Sequence, residues 1–213
     1  MQLIILFGPD GAGKTSLSKA LTKELKKLNY NVVYIKMKSH HLLMYLILKL
    51  LQKFGYVPKS SSPRVIDYSL RRLFKKRKVY LLLEVLNIVL WYLIFVKLRL
   101  LKNSVIIADR FSPDSIVSLY IVAGTMPHIL KKVLLSLCRG SIAIYVRADP
   151  HVLLTRKTDE MLSETYSRYL LVLYDEIAKD VMMVSKDMLI VDTTRLSLSQ
   201  CTKMTLGFIR RHL

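Results

Sequence analysis

Cysteine is scarce: Cys138 and Cys201 are the two thiols in 213 residues, and their placement matches neither a metal-ligand set nor a disulfide framework. A disulfide-stapled secreted scaffold is therefore excluded, and a reducing intracellular compartment is expected. Acidic residues are few, 15 against 34 Lys and Arg, so the formal net charge of +19 favours anionic partners. There is no internal repeat and no low-complexity tail. No uninterrupted apolar run reaches the ~20 residues that cross a bilayer. The nearest approach, 79–96, is broken by Glu84 and Asn87, leaving 12 uncharged residues from Val85 to Val96. Its first apolar run, Leu3 to Phe7, is too short for a signal-peptide core, which makes the cytoplasm the expected location, with a peripheral membrane position as the alternative.

What the chain has in plenty is apolar sequence, 52 % of residues, enough for the core of one α/β domain spanning 1–213. Five strand-length runs stand out: Leu3 to Phe7, Val32 to Ile35, Val105 to Ala108, Ile142 to Val146 and Met188 to Val191. Continuous Val/Ile-rich runs separated by helical stretches mark strands buried on both faces, hence a doubly wound parallel five-stranded sheet. Helices are expected at about Pro113 to Val122, Pro127 to Cys138, Pro150 to Lys157, Ser163 to Val184 and Leu198 to His212. Tyr166, Tyr169, Tyr174 and the run Leu170 to Leu173 are expected in the core. Residues 37–103 form the departure, a helical insertion between strands 2 and 3 with a loop at 55–63.

Charge is uneven. Residues 1–103 carry 20 Lys and Arg against 4 Asp and Glu, and residues 104–213 carry 14 against 11. The peak is Arg71 to Lys78, six cations in eight residues. Such a run is most often a solvated face; an anionic membrane surface comes next and nucleic acid last. The apolar stretches 42–51 and 79–96 beside it fit a helical layer that fills the core, meets lipid through 42–51 and 71–102, or is buried between two subunits of a homodimer.

The sharpest feature lies near the N-terminus. Gly8-Pro9-Asp10-Gly11-Ala12-Gly13-Lys14-Thr15 is a complete G-x-x-x-x-G-K-[ST] P-loop, preceded by a strand and followed by helical spacing at Leu17, Ala20, Leu21, Leu25 and Leu28. Backbone amides of such a loop turn inward around phosphates at a helix N-terminus. Gly8, Asp10, Gly11, Ala12, Gly13, Lys14, Thr15 and Ser16 are thus expected to hold ATP. Lys14 should reach the β/γ-phosphates, and the Thr15 hydroxyl should bind Mg²⁺. At the third strand's end come Asp109 and Arg110, where the crevice of an open α/β sheet lies. A carboxylate there can hold Mg²⁺ or orient an attacking oxygen, and a guanidinium suits an anionic acceptor. A structural Asp-Arg pair is the simpler alternative. Asp114 is a candidate for an acceptor hydroxyl, or else a polar residue of a first helical turn. Arg156, with Lys157, is a candidate lid cation in a lid at about 156–165, or a helix-end charge on the dipole. His40 and His41 are candidates for the acceptor side.

The P-loop, Val105 to Phe111, and Tyr145-Val146-Arg147-Ala148-Asp149-Pro150 followed by Leu153 to Lys157 resemble the thymidylate kinase family in order and spacing. The resemblance implies a P-loop kinase that transfers the γ-phosphoryl of ATP to a nucleoside monophosphate, dTMP foremost, with Mg²⁺. It further implies an acceptor-sugar contact for Asp10, an acceptor-site role for Asp109 and Arg110, and lid cations among Arg156, Lys157 and Arg168. The chain departs from the family on the acceptor side. Lys36-Met37-Lys38-Ser39-His40-His41 replaces the Arg-Glu-Pro-Gly turn, Ile88 and Val89 or close neighbours stand where an arginine and a glutamine are usual, and Ser112-Pro113-Asp114 replaces Ala-Tyr-Gln. A kinase for a membrane-associated acceptor and a nucleotide-dependent membrane-binding module are the alternatives.

Overall fold

Each of the five Val/Ile-rich runs forms a strand: β1 Gln2–Phe7, β2 Val32–Lys36, β3 Val105–Asp109, β4 Ile142–Arg147 and β5 Asp187–Asp192. The computed structural model describes residues 2–37, 53, 77–98, 104–156 and 163–213. All strand pairs are parallel, in the order β2-β3-β1-β4-β5. The order turns about β1, so the crevice at the carboxyl ends opens where the P-loop leaves that strand.

The helices are α1 Lys14–Lys27, α2 Arg77–Trp91 continued by π-helical turns at Tyr92–Lys97, α3 Ser112–Ala123, α4 His128–Ser136, α5 Pro150–Arg156, α6 Glu164–Val184 and α7 Leu198–Arg210. Two sequence signals set helix starts. Ser163 accepts from the Tyr166 amide at 3.1 Å, and Ser197 forms a capping box with Gln200, each satisfying otherwise orphaned donors.

Strand alternation divides the core into two layers. Ile4, Leu6, Ile107, Ile144 and Val146 pack with Leu17, Leu21 and Leu25 of α1 and Phe208 and Ile209 of α7. Ile5, Phe7, Ile106 and Tyr145 face α2, α3, α4 and α6. Each fully buried Leu or Ile contributes roughly 1.5–3 kcal/mol, so strands covered on both faces anchor the site rigidly.

Within the insertion, α2 turns Leu81, Val85, Ile88 and Trp91 into the core, at the i, i+4, i+7 spacing of one helix face. Glu84 and Asn87 are buried as well. No helix among the described residues is long and apolar enough to cross a membrane. Leu82, Leu86, Leu93, Ile94 and Leu98 remain exposed on the outer side. The expected loop at 55–63, the stretch 42–51, His40, His41, Lys157 and most of the lid lie outside the described residues.

Two core expectations are corrected on α6: Tyr169 and Val172 are exposed. This helix has apolar residues on both sides, and its buried residues are Ser167, Leu171, Tyr174, Ile177, Ala178 and Val181.

Candidate active site

The P-loop joins β1 to α1, and Gly13 in left-handed conformation precedes the first turn of that helix. Gly11 takes φ +92, and a Cβ there would come within 3.2 Å of the Leu153 carbonyl oxygen. A side chain at this position would therefore crowd α5. Lys14 is 4 % exposed. Its ammonium donates to the Gly8 carbonyl and to the Pro9 carbonyl at 2.8 Å, and lies 3.5 Å from Asp10. Burial pushes its pKa down, opposed by the carboxylates of Asp114 and Asp10.

Asp109 ends β3 with 0 % exposure. Its Oδ2 accepts from the Thr15 hydroxyl at 2.8 Å and from the Tyr34 phenol at 2.8 Å. Its Oδ1 has no hydrogen-bond partner among the described residues. A buried carboxylate oxygen left over beside a threonine hydroxyl is the hard-oxygen donor set that Mg²⁺ takes, so the residues fit that ion. Lys36, at the end of β2, lies 3.7 Å from Asp109 and donates to Thr15 Oγ1 at 3.2 Å.

Arg110 has a left-handed φ of +66, uncommon for a side chain of its size. This turn brings its guanidinium to Asp10 Oδ1 at 2.6 Å. Burial works against the charged form, but Asp10 and Asp114 outweigh it and push the Arg110 pKa up. Arg110 is therefore charged throughout the working pH range.

Asp114 comes to rest beneath the P-loop rather than along the cleft. One oxygen accepts from the Gly8 amide at 3.4 Å and the Tyr174 phenol at 3.1 Å, and the other from the Phe111 amide at 3.1 Å. Burial pushes its pKa up, against the pull of Lys14. This placement supports the loop and caps α3.

A cleft of about 460 Å³ is lined by P-loop residues including Lys14, Thr15 and Ser16, by Arg110 and Arg156, and by Thr193, Leu196, Leu198 and Cys201. Arg156 ends α5 and donates twice to Thr193, at 2.9 Å to its hydroxyl and 2.9 Å to its carbonyl. Thr193 in turn donates to the Ala12 carbonyl at 3.0 Å. Arg156 is thereby tied to the P-loop through Thr193, the residue that follows β5. Arg168 instead pairs with Glu164 on its own helix at 2.6 Å.

Tyr34, Lys36, Thr193 and Tyr174 are the residues that sequence reasoning left without a role here. Lys36 and Thr193 had an available signal: they lie at or next to the carboxyl ends of strands.

Both thiols are buried, but their surroundings differ. Cys138 is buried against Ser112 at 3.1 Å, and burial pushes its pKa up to about 12. Cys201 lines the cleft. Because the thiolate is the reactive form, iodoacetamide at pH 8 is expected to leave Cys138 unmodified and to label Cys201 slowly, with ATP·Mg slowing it further. Both should react in denaturant, and peptide mass spectrometry reads the difference.

The fold is a five-stranded parallel α/β sheet of P-loop kinase type. A family model described as "Chromatin associated protein KTI12" matches residues 1–72, about a third of the chain, covering the P-loop and β2 but not Asp109. Among curated proteins none matches. Among solved structures the chain is similar to the thymidylate kinase of Ehrlichia chaffeensis, with TM-score 0.59 and 17 % identity, covering 100 % of this chain and 98 % of that one. The likeness is one of fold.

Proposed function

We propose that the chain is an ATP-dependent phosphotransferase of thymidylate kinase type that moves the γ-phosphoryl of ATP to a nucleoside monophosphate, dTMP foremost. The observation that carries this reading is the Thr15–Asp109 pair with its uncommitted carboxylate oxygen, set beside Arg110 at one end of a P-loop cleft. Phosphoryl transfer needs positioning and charge stabilisation more than covalent chemistry. The P-loop amides and Lys14 orient the donor phosphates. Leu196, Leu198 and Cys201 give an apolar wall for a base. Arg110, held by Asp10, offers a fixed fork to an anionic acceptor. Arg156, held by Thr193, adds a cation to the opposite wall. Thr15 and Asp109 would hold Mg²⁺, which supplies Lewis-acid polarisation of phosphate oxygens when bound.

A second reading, a kinase for a membrane-associated acceptor, is favoured by α2. Ile88 is buried in the core, while Leu82, Leu86, Leu93, Ile94 and Leu98 face outward. A membrane-binding module using nucleotide as a switch shares that support. The readings part in one experiment: ADP release from ATP·Mg over a panel of nucleoside monophosphates, with and without anionic liposomes. Turnover stimulated by dTMP is the expected result. Silence with every nucleotide but turnover with liposomes transfers support to the second reading, and liposome binding without ADP release to the module.

A further inference from the structure

Lys36 is in register with Asp109 across the β2–β3 ladder. Its ammonium stands 3.2 Å from Thr15 Oγ1 and 3.7 Å from Asp109 Oδ2, against the two groups that would hold the metal. A carboxylate with 0 % exposure is costly without a cation. Lys14, the other nearby ammonium, is occupied by the Gly8 and Pro9 carbonyls. Among the described residues Lys36 is the cation that approaches Asp109, and its side chain keeps 32 % exposure, so it has an open path away from the pair. A lysine ammonium and Mg²⁺ are both compact, strongly hydrated charges that seek oxygen, and their mutual repulsion prevents both from resting on one carboxylate–hydroxyl pair.

We infer that Lys36 is the resident counter-ion of the metal position: it neutralises Asp109 in the nucleotide-free protein and must leave the Thr15–Asp109 pair before Mg²⁺ can take it. This rests on the proposed nucleotide site and adds a competitor to it. The Tyr34 phenol, also on Asp109 Oδ2, keeps that oxygen aimed at Thr15 while the ammonium exchanges. Lys36 is thus a positioning residue that sets the Mg²⁺ requirement, whatever the acceptor.

The test needs no turnover. ADP is titrated into the full chain by calorimetry in EDTA and across a Mg²⁺ series, for wild type, Lys36→Met and Lys36→Arg. The methionine variant is expected to reach half-saturation with Mg²⁺ at a concentration at least ~5-fold lower than wild type, and to bind ADP more weakly in EDTA; this follows from removing one competing charge. Its melting temperature in EDTA should fall, and Mg²⁺ alone should raise it more than it raises that of wild type. The arginine variant, which keeps the charge, should stay close to wild type. If Lys36→Met does not fold, Lys36→Gln replaces it with the same expectation. An unchanged or raised Mg²⁺ half-saturation in the neutral variant, or an arginine variant that behaves like methionine, overturns the inference while wild-type binding keeps the proposed function standing. Failure of wild type to bind ADP at any Mg²⁺ concentration overturns both.

Discussion

Lys14→Ala is expected to lower ADP production by at least ~10²-fold, the loss seen when one preorganised donor to a developing anion is removed, while melting shifts by only a few degrees. The two effects separate because the ammonium is aimed at phosphates yet gains little by being in the folded chain. Burial pushes its pKa below the ordinary value of 10.5, against the pull of Asp114 and Asp10, so the charge is tolerated rather than stabilising, and its loss is partly offset. The sign of the pH dependence follows. A lysine depressed in the folded state binds fewer protons than in the unfolded chain between its folded pKa and 10.5, so its contribution is fully present above 10.5 and is lost as pH falls through the folded value. Scanning calorimetry should therefore show wild type gaining on Lys14→Ala as pH is raised from neutrality toward 10.5. A coupled assay of ADP release at saturating ATP·Mg checks the first half of the prediction. Retained turnover in a folded variant would remove the P-loop from the chemistry.

Most of this site was legible because its parts are local. A strand, eight loop residues and a helix follow one another in sequence, so the P-loop needs no knowledge of the fold. The strands were legible for a related reason: burial on both faces writes them as continuous apolar runs, and each observed strand lies within one residue of its expected bounds at either end. What escaped was whatever depends on strand order. Lys36 and Tyr34 reach Asp109 only because β3 lies between β1 and β2, and nothing in the spacing of 36 and 109 announces that neighbourhood. Thr193 was similarly hidden, since its bond to Ala12 joins residues 181 positions apart. Asp114 shows the opposite problem. Its place after Pro113 suits a helix start, and a helix-start carboxylate can face ligand or amides. The Tyr174 phenol and the Gly8 amide draw it inward, and Tyr174 itself read as plain core because its polar end finds a partner there. On α6 the periodicity was ambiguous, as apolar residues on both faces left Tyr169 and Val172 without a preferred side.

The largest loss of stability is expected from Gly8→Ala. Gly8 adopts φ +141, and a Cβ built there would overlap the Val146 carbonyl oxygen and lie 3.0 Å from its carbonyl carbon. Neither backbone can give way easily. Gly8 directly follows β1, Val146 belongs to β4, and the two strands are locked by the Phe7–Tyr145 register and by the stacked rings of those residues at 5.2 Å. Shifting the loop instead would strain the Gly8 amide bond to Asp114 and move the carbonyl that Lys14 holds. Overpacking costs ~1–3 kcal/mol, and a residue forced into a sparse backbone region adds ~1–3 kcal/mol. The sum, converted at ~2–4 °C per kcal/mol for a chain of this size, predicts a melting point lower by about 10 °C together with loss of nucleotide binding. Gly124→Ala is the control: its φ is also positive, +71, but nothing lies within 4 Å of the added Cβ, so only the backbone term remains, ~1 kcal/mol. The gap between the two variants isolates the contact with Val146. Melting points within about 2 °C of each other, less than a single kcal/mol would produce, would show that the P-loop can move off β4 freely, and with it that the phosphate cradle is not rigidly seated on the sheet.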